Sequence, residues 1–484
     1  MPAPRIAIIG AGFGGIAVAN ELKRLGYDDL VLLEQGAEPG GVWRDNTYPG
    51  AACDVPTPYY SYSYEPNPHW PRRYAEQPDI LAYIEHVVEK YDLRRHLRLN
   101  ARVTGAVWED SSWTVSLEDG STLEADVLIP AVGQLSRPSM PAIDGISDFE
   151  GPSFHSAQWD HSVSLEGKRV GVIGTGASAI QFVPRIQPVV GSVTVFQRTP
   201  PYLIPRMDTE FSRTHHTIFE KLPFTQKAER GTWFGISESL GVALLYAPRL
   251  AGAVRRLSEW HMRKGVAEKP ALFDSVWPDY PIGCKRVLFS NDYLPALAQP
   301  NAALVTDGIS AITPSGVRTV DGVEHPLDVI IYGTGFTATD FLAPLRISGR
   351  SGRDLRETWS AGARAYLGIA VPDFPNLFLM YGPNTNLGSG SIIYMLESQA
   401  RYIGQAVGSL ALGSLRGRAL EVRAEVEEAY DAATQERLVN GVWSQCSSWY
   451  RVASGRVVSN WPRLPFEYRR ATAHFDPADY EVVG

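Results

Sequence analysis

RIAIIGAGFGGIAVANELKRL, Arg5 to Leu25, is the stretch whose reading decides the fold. Arg5–Ile9 is an apolar run of strand length, Gly10-Ala-Gly12-Phe13-Gly14-Gly15 follows at once, and Ile16–Leu25 carries apolar residues at helical spacing. A G-x-G-x-x-G pattern is weak alone and gains force when strand, turn and helix stand in that order. The glycines permit a tight turn and a close backbone approach, so the free N–H groups at the helix start can hold a pyrophosphate. A second strand, Leu30–Leu33, ends at Glu34, whose carboxylate can accept hydrogen bonds from a ribose. This end of the chain is expected to bind a dinucleotide.

The same architecture then recurs. Lys168–Ile173 reads as a strand, Gly174-Thr175-Gly176-Ala177-Ser178-Ala179 as a second fingerprint with alanine in the last place, and Val193–Phe196 as its second strand. Glu34 lies 24 residues after Gly10, and Arg198 lies 24 residues after Gly174. One position carries opposite charges: an acid suits a ribose 2′-hydroxyl, whereas an arginine suits a 2′-phosphate. The first site is therefore expected to take FAD or NAD and the second NADPH. Asp126–Gly133 (DVLIPAVG) and Asp328–Gly335 (DVIIYGTG) also echo each other, so each unit is expected to end in the same device.

Between these landmarks the chain is less regular. Val55–Gln77 is rich in aromatic residues and proline; it reads either as an ordered loop packed on something flat or as an irregular surface segment. Ile80–Tyr91 has the spacing of an amphipathic helix, and Ala101–Trp108 with Trp113–Leu117 has that of an antiparallel hairpin. The tail holds Phe374–Tyr381, a glycine- and asparagine-rich loop, a helix from about Ile392 to Leu410 and an aromatic terminus. The expected fold is α/β, with two Rossmann-like dinucleotide-binding domains, each discontinuous in sequence. A first segment of the FAD domain covers 1–140, a linker 141–160, and a first segment of the NADPH domain 161–207. A helical insertion follows over 208–280, then the second NADPH segment over 281–340 and the second FAD segment over 341–484.

Composition excludes several function classes. The formal charge of −8 supplies no basic field for nucleic acid. Cys53, Cys284 and Cys446 are widely spaced with no C-x-x-C, which argues against a disulfide framework, a zinc cluster or a dithiol redox pair and suits a reducing cytoplasm. The first strand begins too early for a signal peptide, so a cytoplasmic location is expected. Trp233–Val254 is the most membrane-like stretch, but Glu238, Pro248 and Arg249 interrupt it, so a buried or interfacial helix pair is expected rather than stable membrane insertion. No metal site is expected.

Two further motifs flank the fingerprints. Gly41-x-Trp43, four residues, Tyr48-Pro49-Gly50, three residues and Asp54 form one; Phe149-x-Gly151, three residues, His155, three residues and Trp159-Asp160 form the other. With these the sequence resembles the class B flavoprotein monooxygenases of the flavin-containing monooxygenase superfamily, and among them the type I Baeyer–Villiger monooxygenases. The resemblance implies FAD and NADPH as cofactors, and a small-molecule ketone and O2 as partners. It implies insertion of one oxygen atom next to the ketone carbonyl, through a C4a-peroxyflavin, to give an ester or lactone. An N- or S-oxygenating flavin enzyme is the nearest alternative, since its electrophilic hydroperoxide needs no fixed cation. A flavin-bound sensor without turnover is a third reading.

Roles for residues follow from the same resemblance. Gly10, Gly12, Phe13, Gly14, Gly15, Glu34, Gly41, Val42, Trp43, Cys53, Asp54, Tyr60, Val103, Leu387 and Ile392 would surround FAD. Gly174, Thr175, Gly176, Ala177, Ser178, Arg198, Thr199, Lys285 and Arg286 would hold NADPH. Arg286 would be the catalytic arginine, oriented by Asp54. Phe149, Gly151, His155 and Trp159 would form the linker fingerprint, with His155 coupling the nucleotide domains or else standing as an exposed loop histidine. Ala51-Ala52 departs from the arginine common before the aspartate, and bears on the substrate more than on the reaction.

Overall fold

A computed structural model describes residues 3–411 and 418–483; Met1, Pro2, Gly484 and 412–417, which belong to the outer segments of the expected FAD domain, lie outside it. Two parallel sheets organise the chain. In the first, the strand order is Leu97–Arg98, Leu30–Leu33, Ile6–Ile9, Val127–Pro130. In the second it is Ala302–Val305, Ser192–Phe196, Arg169–Ile173, Val329–Tyr332, Ser153–His155. The strands Ile6–Ile9, Val127–Pro130 and Val329–Tyr332 are buried at every position. That is why they read as unbroken apolar runs rather than alternating ones: layers cover both faces of a parallel sheet.

The repeated Asp126–Gly133 and Asp328–Gly335 runs have one physical job. The Asp126 carboxylate accepts from the Arg5 backbone N–H at 2.7 Å and from its guanidinium at 2.8 Å. Asp328 does the same to Arg169, at 2.8 and 2.7 Å. In both sheets this pair fixes the register of the strand after the aspartate beside the strand that leads into the glycine turn. These bonds to Arg169 draw the Asp328 carboxyl down to about 2.

The fingerprint glycines are required sterically. Gly10 has φ +104°, and a Cβ there would lie 2.7 Å from the Ala131 carbonyl oxygen. A Cβ on Gly15 would lie 1.9 Å from the Gly10 carbonyl oxygen, which is backbone and cannot swing away. Gly15→Ala is expected to cost at least about 2 kcal/mol of stability, read as a lowered Tm together with loss of bound flavin on purification.

The connector expected over 141–160 is not only a linker. Ser153–His155 forms the edge strand of the second sheet, with His155 opposite Tyr332. Its proline- and glycine-rich composition hid a three-residue strand too short to show periodicity. The hairpin is present as Val103–Glu109 and Ser112–Leu117, extended by Thr122–Ala125 and by Arg346–Ser348 from far along the chain. Residues 208–280 contain the helices Arg213–Lys221, Pro223–Leu245 and Pro248–Gly265. No helix among the described residues is long and apolar enough to cross a membrane.

The tail returns to the first sheet. The Phe378 N–H donates to the Leu128 carbonyl at 3.0 Å and the Met380 N–H to that of Pro130 at 2.9 Å. The helix Ile392–Ala411 shares one apolar core with the helix Phe13–Arg24, including Ile16, Leu22, Ile403 and Val407. Cys284 and Cys446 are joined by a disulfide across 162 residues, contrary to the expectation from spacing. Local cysteine patterns report neighbours in sequence; this pair is brought together only by the tail folding back.

Candidate active site

A cavity of about 620 Å³ opens along the end of the first sheet. Its lining includes Gly10, Gly12, Phe13, Gly14, Glu34, Gly41, Val42, Trp43, Cys53, Asp54, Tyr60, Val103, Ala177, Arg286, Leu387 and Ile392. Gly15 is absent because it packs beneath the turn. The helix Phe13–Arg24 starts at Gly12 with no side-chain cap and no acid in its first turn, so its first N–H groups are free to meet an anion. Glu34 is 4 % exposed and accepts from the Ala11 N–H at 2.9 Å, the Gly36 N–H at 2.8 Å and Arg44 at 2.7 Å. A carboxylate has about four acceptor sites, so Glu34 keeps capacity for a ribose hydroxyl. The aromatic segment after Asp54 is an ordered, buried wall: Tyr60 is 9 % exposed, and its hydroxyl accepts from the Trp43 indole at 3.1 Å. This cradle fits a flavin dinucleotide.

The second fingerprint forms a separate cradle. Gly174 has φ +109° and approaches the Gly333 carbonyl, repeating the geometry of Gly10. The helix Ala179–Ile186 begins after Ser178, uncapped by any side chain and without an acid in its first turn. The Thr175 hydroxyl donates to the Thr199 carbonyl at 3.0 Å, tying the glycine turn to the segment that carries Arg198. Burial, reinforced by Arg198 nearby, pushes the Lys285 ammonium below the ordinary lysine range. Two neighbouring cations without a carboxylate partner among the described residues suit a phosphate. As pH rises, Lys285 loses its proton earlier than a free lysine. The KM for NADPH is therefore expected to climb with pH from below the ordinary lysine range, while that for NADH stays flat.

Both flanking motifs converge on the helix Ala179–Ile186. Tyr48 donates to the Gln181 side-chain oxygen at 2.9 Å, and the Gln181 amide donates to the Ala52 carbonyl at 3.0 Å. Gly50, at φ +80°, lies so close that a Cβ would meet Arg185 at 2.8 Å and the Gln181 carbonyl at 3.0 Å. From the other motif, the Trp159 ring packs edge-on against Phe182 at 5.4 Å, and Tyr48 reaches the same ring at 6.1 Å. Gly151 admits no side chain because a Cβ would lie 2.6 Å from the Asp328 carbonyl oxygen and 2.7 Å from the Phe149 ring. His155 is 2 % exposed, not an exposed loop residue. Its Nδ1 accepts from the Ala157 N–H at 3.1 Å, and burial lowers its pKa, leaving a neutral ring. The motifs therefore bolt the two cradles to one helix.

Where the cradles meet, Arg286 donates to the Asp54 carboxylate at 2.8 Å. The pair comes from positions 232 residues apart, and 34 % of the Arg286 side chain remains open to the cavity. The Asp54 charge raises the Arg286 pKa still further, so the guanidinium is a permanent cation.

This arrangement has close counterparts. Residues 7–214 match the pyridine nucleotide-disulphide oxidoreductase family. A Baeyer-Villiger monooxygenase of Pseudomonas aeruginosa is 43 % identical over 99 % of this chain and 91 % of its own length; one of Streptomyces coelicolor is 44 % identical over 99 % and 92 %. The chain belongs to the Baeyer-Villiger monooxygenase family. A solved structure described as OTEMO in complex with FAD and NADP superposes with a TM-score of 0.87 at 27 % identity, covering all of both chains.

In this Baeyer-Villiger monooxygenase, the wall around Arg286 contains residues that the sequence did not announce. Tyr381 holds a left-handed backbone, φ +58°, which a bulky residue rarely adopts. Three hydrogen bonds keep it there. Its N–H donates to Gln399 at 2.9 Å, its carbonyl accepts from Gln134 at 2.8 Å, and its hydroxyl donates to Asn386 at 2.7 Å. Tyr450 is 1 % exposed near Arg286; burial pushes its hydroxyl up to about 12, against the pull of that cation. Arg44 was also missed, although its place ten residues after Glu34 could have suggested a partner for that acid.

Proposed function

We propose that this enzyme uses FAD and NADPH to insert one oxygen atom of O2 beside a ketone carbonyl, giving an ester or lactone. The observation that carries the reading is Arg286, held by Asp54 on the wall of the flavin-sized cavity and beside the phosphate-suited pair Arg198 and Lys285. Hydride acceptance from NADPH and electron delivery to dioxygen are the chemistry that bound FAD would supply. The chain's residues do the rest. Gly12 and the helix behind it would hold the pyrophosphate of FAD, Glu34 its ribose, and Trp43 and Tyr60 would wall the flavin from water. Arg198, Thr199 and Lys285 would hold the NADPH 2′-phosphate. Arg286 would donate to the carbonyl oxygen of the ketone as it becomes anionic, a charge best met by a preorganised donor in a dry site. Asp54 would keep that guanidinium aimed, through a charge-assisted bond. Leu387 and Ile392, which line the same cavity as Arg286, would supply an apolar surface for the ketone's hydrocarbon part.

Our reading sets this work in the cytoplasm, where NADPH is maintained. The test is aerobic NADPH consumption against linear, cyclic, aryl and steroid ketones, with a sulfide and a tertiary amine as comparators and every product identified. Ester formation is expected. Oxidation of only the sulfide and amine would replace the reading with N- or S-oxygenation.

A further inference from the structure

The C-terminal segment 442–450 supplies Val442, Trp443 and Tyr450 to the void that Arg286 borders. Little else pins its middle. Among the described residues, the backbone hydrogen bonds of residues 445–449 stay within residues 442–451, and the buried Ser448 hydroxyl has no partner. Among the described residues, what ties that middle to the rest of the fold is the disulfide from Cys446 to Cys284, with Cα atoms 6.1 Å apart, and Cys284 stands two residues before Arg286. The bond thus joins the arginine's own loop to the segment covering it.

The two sulfurs differ in access. Cys284 is fully buried, whereas Cys446 is half-buried, so an attacking thiolate reaches Cys446 first. Disulfides in a reducing compartment are typically reversible ones, exchanging with thiols according to access.

Resting on the functional reading of Arg286, we propose that Cys284–Cys446 is a reversible latch on the ketone pocket. Closed, it seats Trp443 and Tyr450 against the Arg286 loop; open, it leaves them held by their own cluster with Leu438 and Val457, so that the segment can shift from that loop. Closing takes two electrons and two protons from the two thiols, and hydrogen peroxide accepts them and becomes two molecules of water. Opening is exchange with a small dithiol. Its first thiolate forms a mixed disulfide with Cys446 and expels Cys284; its second then closes its own ring and releases Cys446. Cys284 and Cys446 are positioning residues in this scheme, acting through the wall that they tether.

The experiment compares the FAD-loaded protein after hydrogen peroxide, after dithiothreitol, and as Cys446→Ser. Maleimide labelling in denaturant is expected to find one thiol per chain after peroxide, that of Cys53, and three after dithiothreitol. Limited proteolysis is expected to cut within 440–460 about tenfold faster in the reduced protein. The KM for ketone is expected to rise about threefold to tenfold on reduction, with less ester formed per NADPH, while the rate of flavin reduction by NADPH holds. Cys446→Ser is expected to match the reduced protein and to ignore both reagents. Three thiols persisting after peroxide would overturn the latch, as would equal cleavage rates in the two states. Thiol counts and cleavage need no turnover, so they test the latch even if no ketone is oxidised. Equal KM and coupling in protein that does make ester would leave the bond a mere structural staple and also overturn the proposal.

Discussion

Arg286→Ala is expected to lower ester formation from ketones by about 10²–10³-fold, the usual effect of losing one preorganised donor to a developing oxyanion. The variant should still carry FAD, since the glycine turn, Glu34 and Tyr60 are untouched, and NADPH should still bleach the flavin anaerobically. This split separates the proposed role from a structural one. A merely structural Arg286–Asp54 pair, 2.8 Å apart, would cost flavin content and Tm before it cost product. Arg286→Lys should recover little, because a point charge on a flexible stem cannot reproduce a planar fork held by Asp54. Asp54→Asn should keep the cation but loosen its aim, and lose about 10–100-fold. Sulfide oxidation by Arg286→Ala, measured alongside, should fall far less, because an electrophilic oxygen donor needs no anion-stabilising cation.

Arg198→Ala and Lys285→Ala should each raise the KM for NADPH by about 10–100-fold, consistent with about 1.5–3 kcal/mol for a charge-assisted hydrogen bond. Neither should change the KM for NADH more than slightly. Neither cation is ion-paired with a carboxylate among the described residues, and Arg198 already helps burial to depress the Lys285 ammonium against the weaker pull of Asp279. A phosphate would relieve that repulsion; a bare ribose would not. Comparing the two coenzymes in steady-state kinetics decides the matter. Equal effects on NADPH and NADH would mean that the phosphate sits elsewhere.

Much of the fold was legible because its decisive elements are local. The strand Ile6–Ile9, the glycine turn and the helix Phe13–Arg24 are contiguous, and Gly10 and Gly15 are fixed by backbone contacts that any copy of the motif repeats. Glu34 and Arg198 each follow the second strand of their unit, Leu30–Leu33 and Ser192–Phe196, so their matching positions are local features too. What escaped depends on long-range approach. Arg346–Ser348 pairs with Val103–Glu109 only after the chain has closed, and Ser153–His155 takes its extended form from the sheet edge that it joins. Cys284 meets Cys446 because the tail folds across the Arg286 loop, which no spacing rule encodes. Tyr381 is the clearest case at the site. Nothing in its immediate neighbours demands a left-handed backbone; Gln134 and Gln399 from other segments hold it there, with Asn386 from the loop that follows.

The site follows the same division. Its cradle residues were named from motifs, whereas the packing that aligns the cradles was not: Gln181 and Phe182 lie on a helix with an ordinary amphipathic sequence. Their function comes from what reaches them, Tyr48 and Ala52 from one side and Trp159 from the other.

The most direct test of the central claim is a single turnover under labelled oxygen. FAD-loaded protein is reduced anaerobically with one equivalent of NADPH and mixed with a ketone under ¹⁸O₂, and the product is weighed by mass spectrometry. One ¹⁸O atom in the bridging position of an ester or lactone, with the carbonyl oxygen unlabelled, is the predicted result. Recovery of the ketone unchanged, or an ester carrying no label, would contradict it.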